Sequence, residues 1–349
     1  MTNILLTGGS GFMGKSIVSE LIDPGSPIKP DLIRIFDLEE YKGPMDPRME
    51  LIRGDVRDYQ KVSEACHNMD LVIHSAAIVD WGTKPEQEVF SVNVEGTRNI
   101  ILACKNQKVK FLVYTSSLDA VFSGKPLVDI DESIPYPDKH STSYCTSKFL
   151  AEKLVLSGSG DELKTCIIRP ADVYGEGDPY HIGSLLEMAK SGFYIRLGNG
   201  KSRCQHVYIG NIAWAHVLIA HALLTHNNAI AGNAYFITDG PGSNFFSFYD
   251  RIIEEAGYRI WPKNLWLPRR VAMMLGILSE TLAILVRPFK RYTPKMSRFA
   301  VTYTCTDFTF NSEKARKDFG FVPKYSGEEA FERTVQFYRK KYQSPHGRP

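Results

Sequence analysis

The stretch Thr7-Gly8-Gly9-Ser10-Gly11-Phe12-Met13-Gly14 constrains this chain most. It lies between an apolar run, Asn3–Thr7, and an amphipathic one, Phe12–Ile22. Gly8, Gly11 and Gly14 form a Gly-x-x-Gly-x-x-Gly turn from strand into helix. The first glycine permits the tight turn and the second lets the backbone approach a pyrophosphate. The third lets the helix pack against the strand. The free N–H groups at the helix start, around Phe12 and Met13, and their partial positive charge suit phosphate oxygens. The next strand-like run, Leu32–Phe36, ends at Asp37, 23 residues past Gly14. A carboxylate there accepts hydrogen bonds from the adenosine ribose and repels a 2′-phosphate. Leu38-Glu39-Glu40 brings no cation to attract one. The pattern predicts NAD rather than NADP. Gly54-Asp55-Val56 follows the third run. There Asp55 either reaches an adenine amino group or closes an Asx-turn.

Further short apolar runs, Met49–Arg53, Leu71–His74, Phe111–Thr115 and Thr165–Ile168, alternate with helical patterns at Val62–Ala65, Asn93–Lys105 and Tyr144–Leu156. Continuous apolar strands alternating with helices predict an α/β fold, a Rossmann doubly wound parallel sheet covered on both faces. The alternation stops after Tyr174-Gly175-Glu176-Gly177-Asp178-Pro179. It returns in Val207–Leu224, read as strand, turn and helix, and in a strand at Asn233–Thr238. The expected organisation is a nucleotide domain of 1–175 plus about 205–238. A smaller, discontinuous substrate domain is expected from 176–204 and 239–349.

The 349 residues carry 42 Lys and Arg against 39 Asp and Glu, a net charge of +3. With 43% hydrophobic and 23% charged residues the chain is neither disordered nor a nucleic-acid binder by composition. Cys66, Cys104, Cys145, Cys166, Cys204 and Cys305 are scattered, so neither a metal site nor a disulfide framework is expected. The N-terminus lacks the pattern of a secretory or mitochondrial signal.

Tyr144 and Lys148 share a face of a helical stretch at i, i+4 spacing. A tyrosine with a reference pKa near 10 is a poor base at neutral pH. A neighbouring ammonium and a positive nicotinamide favour its phenolate. Tyr114-Thr115-Ser116-Ser117 follows a strand-like run, which puts Ser117 at the carboxyl end of the sheet, where ligands bind. Ser117 can hold a substrate oxygen while Tyr144 moves its proton. Ser116 is the weaker candidate for that role.

Taken together, Thr7–Gly14, Ser117 and Tyr144-x-x-x-Lys148 resemble an extended short-chain dehydrogenase/reductase. More closely, the chain resembles the 3β-hydroxysteroid dehydrogenase family, including its sterol 4α-carboxylate 3-dehydrogenase-like members. The likeness extends through Val72-Ile73-His74-Ser75-Ala76-Ala77, Asn93-Val94-Glu95-Gly96-Thr97, Arg169–Gly177 and Val207–His216, and covers residues 3 to about 338. It implies Tyr144 as acid/base, Lys148 on the nicotinamide ribose and Ser117 on the substrate hydroxyl. It places Ala76, Pro170 and Val173 beside the cofactor; Asp55 and Val56, from the turn after the third run, are further cofactor-binding candidates. Asn93 is read as a buttress. The activity implied is NAD-dependent oxidation of a steroid or sterol 3β-hydroxyl to the ketone. Alternatives are a decarboxylating 4α-carboxylate dehydrogenase, an NAD(P)-dependent reductase of another bulky carbonyl, or a non-catalytic nucleotide sensor. Bifunctional family members are thought to isomerise with a second Tyr-x-x-x-Lys. The matching positions here are Asp250 and Glu254, so the isomerase step is not expected.

Val271–Val286 is apolar but for Glu280. At ~1.5 Å per residue it spans about 24 Å, short of the ~30 Å hydrocarbon core. Ala272, Gly276, Glu280, Ala283 and Arg287 share a narrow face. Met274, Ile277, Leu278, Leu282 and Leu285 cover the rest, and Arg269, Arg270, Arg287, Lys290 and Arg291 bracket the segment. This predicts a helix lying in a membrane interface; the alternatives are a buried helix of the substrate domain and the wall of an apolar pocket. The expected partners are a steroid or sterol substrate and a membrane surface, with no nucleic acid; a homodimer is compatible. The expected location is the cytoplasmic side of a membrane (endoplasmic reticulum in a eukaryote) or the cytoplasm, without secretion.

Overall fold

The structure, a computed structural model, describes residues 2–286 and 296–343. One parallel sheet is built from β1 (Asn3–Thr7), β2 (Leu32–Asp37), β3 (Met49–Arg53), β4 (Leu71–His74), β5 (Phe111–Thr115), β6 (Lys164–Pro170) and β7 (Asn233–Ile237). The order is β7-β6-β5-β4-β1-β2-β3, and each neighbouring pair is parallel. The chain winds outward from β1 to β3, then returns past β1 to β4 and on to β7. That reversal opens a crevice over the carboxyl ends of β1 and β4.

Side chains alternate between two cores. Ile4 and Leu6 of β1 join Ile17, Val18 and Leu21 of the helix Phe12–Ile22 on one face. Leu5 joins Val72, Leu112, Ile100 and Cys104 on the other. Both faces are buried, so the strands read as unbroken apolar runs rather than as alternating ones.

Two local differences from the sequence reading have physical reasons. Asn93–Lys105 is not a single α-helix. A π-helical turn, Ser91–Gly96, leads into the helix Thr97–Asn106. In that widened turn the Asn93 amide accepts from Ile78 N–H at 2.8 Å and donates to Ile78 O at 2.9 Å and Ser147 Oγ at 3.0 Å. Next, His206–Tyr208 passes without a turn into the helix Ile209–Leu224. That strand pairs with Asp172–Tyr174, outside the main sheet. Asn211 explains the join. It donates to Asp239 Oδ2 at 2.8 Å and Tyr325 O at 2.9 Å, and accepts from Tyr325 N–H at 2.9 Å. An aspartate here would set two carboxylates against each other.

The helix Arg269–Val286 turns its small face inward. Ala272 is buried, a Cβ on Gly276 would meet the Arg298 backbone N at 3.1 Å, and Glu280 Oε2 pairs with Arg298 Nε at 2.6 Å. Val271, Met274, Leu275, Ile277, Leu278, Leu282 and Leu285 are all exposed, Leu285 and Met274 by about two-thirds. The large side chains therefore do not spread around the helix; all but Ile277 gather in one outward arc of about 100°. A buried helix of the substrate domain does not fit this exposure. Arg287, Lys290 and Arg291 lie outside the described residues. Among the described residues no helix is long and apolar enough to cross a membrane.

Candidate active site

A cavity of about 550 Å³ fills the crevice. Every candidate from the sequence lines it: Gly8, Gly11, Phe12, Met13, Gly14, Asp37, Asp55, Val56, Ala76, Ser117, Tyr144, Lys148, Pro170 and Val173.

At the nucleotide end, Gly8 has φ +75°, and a Cβ on it would lie 2.6 Å from Ala76 N. A Cβ on Gly14 would lie 2.1 Å from Gly8 O. Gly11 caps the helix Phe12–Ile22 with no side-chain bond, so the first N–H groups keep their capacity for an anion. Asp37 closes β2. Its carboxylate accepts from Ser10 N–H at 2.9 Å and Glu39 N–H at 3.0 Å, which fixes its orientation and leaves acceptor capacity for a diol. Arg53, opposite Asp37 on β3, donates from Nε to Leu38 O at 2.9 Å. These features fit an adenosine ribose and a pyrophosphate. At Asp55 the structure shows the Asx-turn, with Arg57 N–H donating to Oδ1 at 2.8 Å. Arg57 Nε also reaches both carboxylate oxygens, at 3.0 and 2.9 Å, and that pairing holds the carboxyl below its ordinary value.

A buried histidine fixes the sheet below the crevice. His74 Nδ1 meets Thr7 Oγ1 at 2.7 Å and Nε2 meets Thr97 Oγ1 at 3.0 Å, which ties β1 and β4 to the helix Thr97–Asn106. Burial, and then the nearby Lys148 ammonium, push its pKa down to about 3, so it stays neutral.

Thr142 caps the helix Ser143–Gly158, its Oγ1 accepting from Cys145 N–H at 3.1 Å. The cap sets Tyr144 and Lys148 facing the crevice. Lys148 Nζ donates to Thr115 O at 2.8 Å and lies 6.0 Å from the Tyr144 ring centre. Burial lowers its pKa to about 8, against the opposing pull of Glu152 and Asp119. Burial, and after it the Asp119 carboxylate, hold the Tyr144 phenol well above its ordinary value, with Ser117 partly offsetting them. Ser117 donates to Asp119 Oδ2 at 2.7 Å and accepts from Asp119 N–H at 3.2 Å. Ser116 Oγ is buried in the same wall with no partner.

Sequence reasoning missed the other wall. Trp81, Asp119, Asp172, Tyr180, His181 and Tyr303 line the cavity. Two of them carried a signal: Asp119 follows Ser117 by two places, and Asp172 follows Pro170 by two. Nothing local could bring Tyr303 to Asp172, 131 residues away. Asp250 and Glu254 do not line the cavity. Asp250 instead binds Tyr194 OH at 2.7 Å and Arg196 Nε at 2.6 Å.

The sheet order and glycine turn define a nucleotide-binding Rossmann fold of the extended short-chain dehydrogenase kind. Solved structures share it. A dTDP-glucose 4,6-dehydratase from Streptomyces venezuelae solved with NAD superposes with a TM-score of 0.74 at 19% identity, covering 98% of each chain. The epimerase Mth375 from Methanothermobacter thermautotrophicus superposes at 0.77 and 18% identity, over 98% of this chain and 93% of that one. The chain belongs to the 3-beta hydroxysteroid dehydrogenase/isomerase family, which it matches over residues 5–269. It is 34% identical to mouse 3 beta-hydroxysteroid dehydrogenase type 7, over 95% of this chain and 94% of that protein. It is also 34% identical to a decarboxylating sterol-4-alpha-carboxylate 3-dehydrogenase of Schizosaccharomyces pombe, over 95% and 96%. Membership makes the chain an oxidoreductase acting on CH–OH.

Proposed function

We propose that the protein oxidises the 3β-hydroxyl of a steroid or sterol to the ketone, with NAD as cofactor. The observation that carries this is the meeting of Ser117, Tyr144 and Lys148 at one end of a cavity whose other end has the glycine turn and Asp37. Gly8–Gly14 and Asp37 hold the nucleotide, and Ala76, Pro170 and Val173 border the nicotinamide. NAD, when bound, supplies the hydride acceptor. Tyr144 takes the carbinol proton at its phenolic oxygen, and Ser117 fixes the carbinol oxygen. Lys148, held on Thr115 O, supplies positive charge to the phenolate that begins each turnover. The Trp81, Tyr180 and Tyr303 rings give a flat apolar substrate its wall. Reduction of NAD with 3β-hydroxysterols, and none with their 3α epimers, is the expected result. Equal rates for both epimers contradict the assignment.

Cofactor choice follows Asp37. NAD is expected to be preferred over NADP by at least about tenfold, ~1.4 kcal/mol, and Asp37→Ala narrows the gap. Steady-state kinetics with both cofactors checks this; equal kcat/KM in the wild type contradicts it.

The exposed arc of Arg269–Val286, with Arg269 and Arg270 at one end, suits a lipid surface, from which a sterol can enter. Leu278→Asp with Leu282→Asp is expected to release the protein from anionic vesicles without altering NAD affinity. Both side chains are already half exposed or more, so the thermal melt stays in place. Co-sedimentation beside a melt reads both. Failure of the wild type to bind vesicles removes the membrane from the account.

A further inference from the structure

Two carboxylates share the substrate end of the cavity with Ser117 and Tyr144. Asp119 is 8% exposed and lies one hydrogen bond, 2.7 Å, behind the Ser117 oxygen that a carbinol must touch. Asp172 is 3% exposed. Its Oδ1 accepts from Tyr303 OH at 2.6 Å and lies 3.1 Å from His181 Nε2; its Oδ2 lies 3.5 Å from both Tyr249 OH and His206 Nδ1. Asp172 adds secondarily to the cost of ionising Asp119, and Asp172 itself is held below its ordinary value, against burial, by its histidine and tyrosine neighbours.

The cations among the described lining already have partners, though that of Lys148 is a neutral carbonyl. Lys148 is bound to Thr115 O. Lys84 pairs with Glu88, and Arg57 with Asp55. His181 stands between Asp172 at 3.1 Å and Asp178 at 3.9 Å. A substrate carboxylate on the carbon next to the carbinol would enter beside Asp119, and among the described lining only Lys148, which faces the Tyr144 phenol, has no carboxylate partner of its own. Like charges so placed in a buried site repel strongly. An uncharged alcohol meets no such barrier.

We infer that Asp119 and Asp172 determine substrate class: they admit an uncharged 3β-hydroxysterol and exclude one with a carboxylate on the adjacent carbon. The inference rests on the proposed activity at this same site. It sets the chain apart in substrate from the sterol-4-alpha-carboxylate 3-dehydrogenase, to which it is 34% identical, as it is to the mouse type 7 enzyme.

Burial, opposed by Ser117 and assisted by Asp172, pushes the Asp119 pKa up to about 6. The groups facing it are Ser117, Cys145 Sγ at 3.8 Å, Tyr144, Lys148, Asp172, His181 and Tyr303. Its charge is present above about pH 6 and lost below. Discrimination in the wild type is therefore widest at pH 8 and narrows as pH falls through that value.

The test is NADH formation with one 3β-hydroxysterol, compared with the same sterol bearing a 4α-carboxylate. A kcat/KM ratio of at least about 100 in favour of the uncharged sterol at pH 8 is expected. The ratio should fall about tenfold in Asp119→Asn, whatever that variant's absolute rate. Wild-type ratios should narrow more between pH 8 and pH 6 than those of Asp119→Asn, because Lys148, with its pKa near 8, gains charge over that range in both proteins and Asp119 loses it only in the wild type. Equal or better use of the carboxylated sterol overturns the inference and leaves the proposed activity standing. A ratio unchanged both by pH and by Asp119→Asn also overturns it. Turnover of neither sterol defeats the proposed activity, and the inference with it.

Discussion

Tyr144→Phe is expected to lower turnover by about 10²-fold or more while NAD affinity stays nearly constant. The phenylalanine keeps the ring that packs beside Lys148 but has no oxygen to accept the carbinol proton. The loss therefore falls on kcat rather than on cofactor binding. Lys148→Ala behaves differently. It removes an ammonium that anchors on Thr115 O, so it is expected to damage both turnover and NAD affinity. The site's own groups explain why the pair is needed. Burial and Asp119 keep the Tyr144 phenol protonated well past neutral pH. Positive charge beside the phenol favours the phenolate; Lys148 supplies one such charge, and a cationic nicotinamide, when bound, would supply another. Single-turnover rates with cofactor titration by fluorescence separate the two variants. Tyr144→Phe retaining most of the wild-type rate contradicts the assignment.

Gly14→Ala is expected to cost about 3 kcal/mol of stability or more and to reduce NAD affinity by about 100-fold. The added methyl would lie 2.1 Å from Gly8 O and 2.5 Å from Gly9 Cα. Both are backbone atoms that cannot rotate aside. Relief requires the helix Phe12–Ile22 to move off the glycine turn, which removes its N–H groups from the pyrophosphate. Gly11→Ala is the comparison. Its Cβ meets only Gly8 O, at 3.2 Å, so the melt stays close to wild type while NAD affinity falls, because the methyl stands where the phosphates approach. Thermal melts and calorimetric NAD titration measure both. A Gly14→Ala protein with wild-type melting and affinity contradicts the packing account.

The strands of the sheet were readable because burial on both faces writes itself as continuous apolar runs. The glycine turn and Asp37 were readable because each is a local backbone demand. The cavity's other wall was not. Tyr303 reaches Asp172 across 131 residues, and no spacing rule encodes that contact. The helix Arg269–Val286 shows the same limit from the other side. Its composition indicated an amphipathic segment, but which face turned inward depended on Arg298 and Ala272 packing that only the fold decides. The sequence around Asp55 is compatible with two roles, and the Asx-turn, one of them, depends on Arg57 two residues on.

The central claim is that a hydride leaves the carbon bearing the 3β-hydroxyl and reaches NAD. A 3β-hydroxysterol carrying deuterium at C3 tests this directly, with mass spectrometry of cofactor and sterol after turnover. The account predicts deuterium in the reduced cofactor and a 3-ketone free of it. Deuterium retained in the sterol, or NADH formed without label, contradicts it.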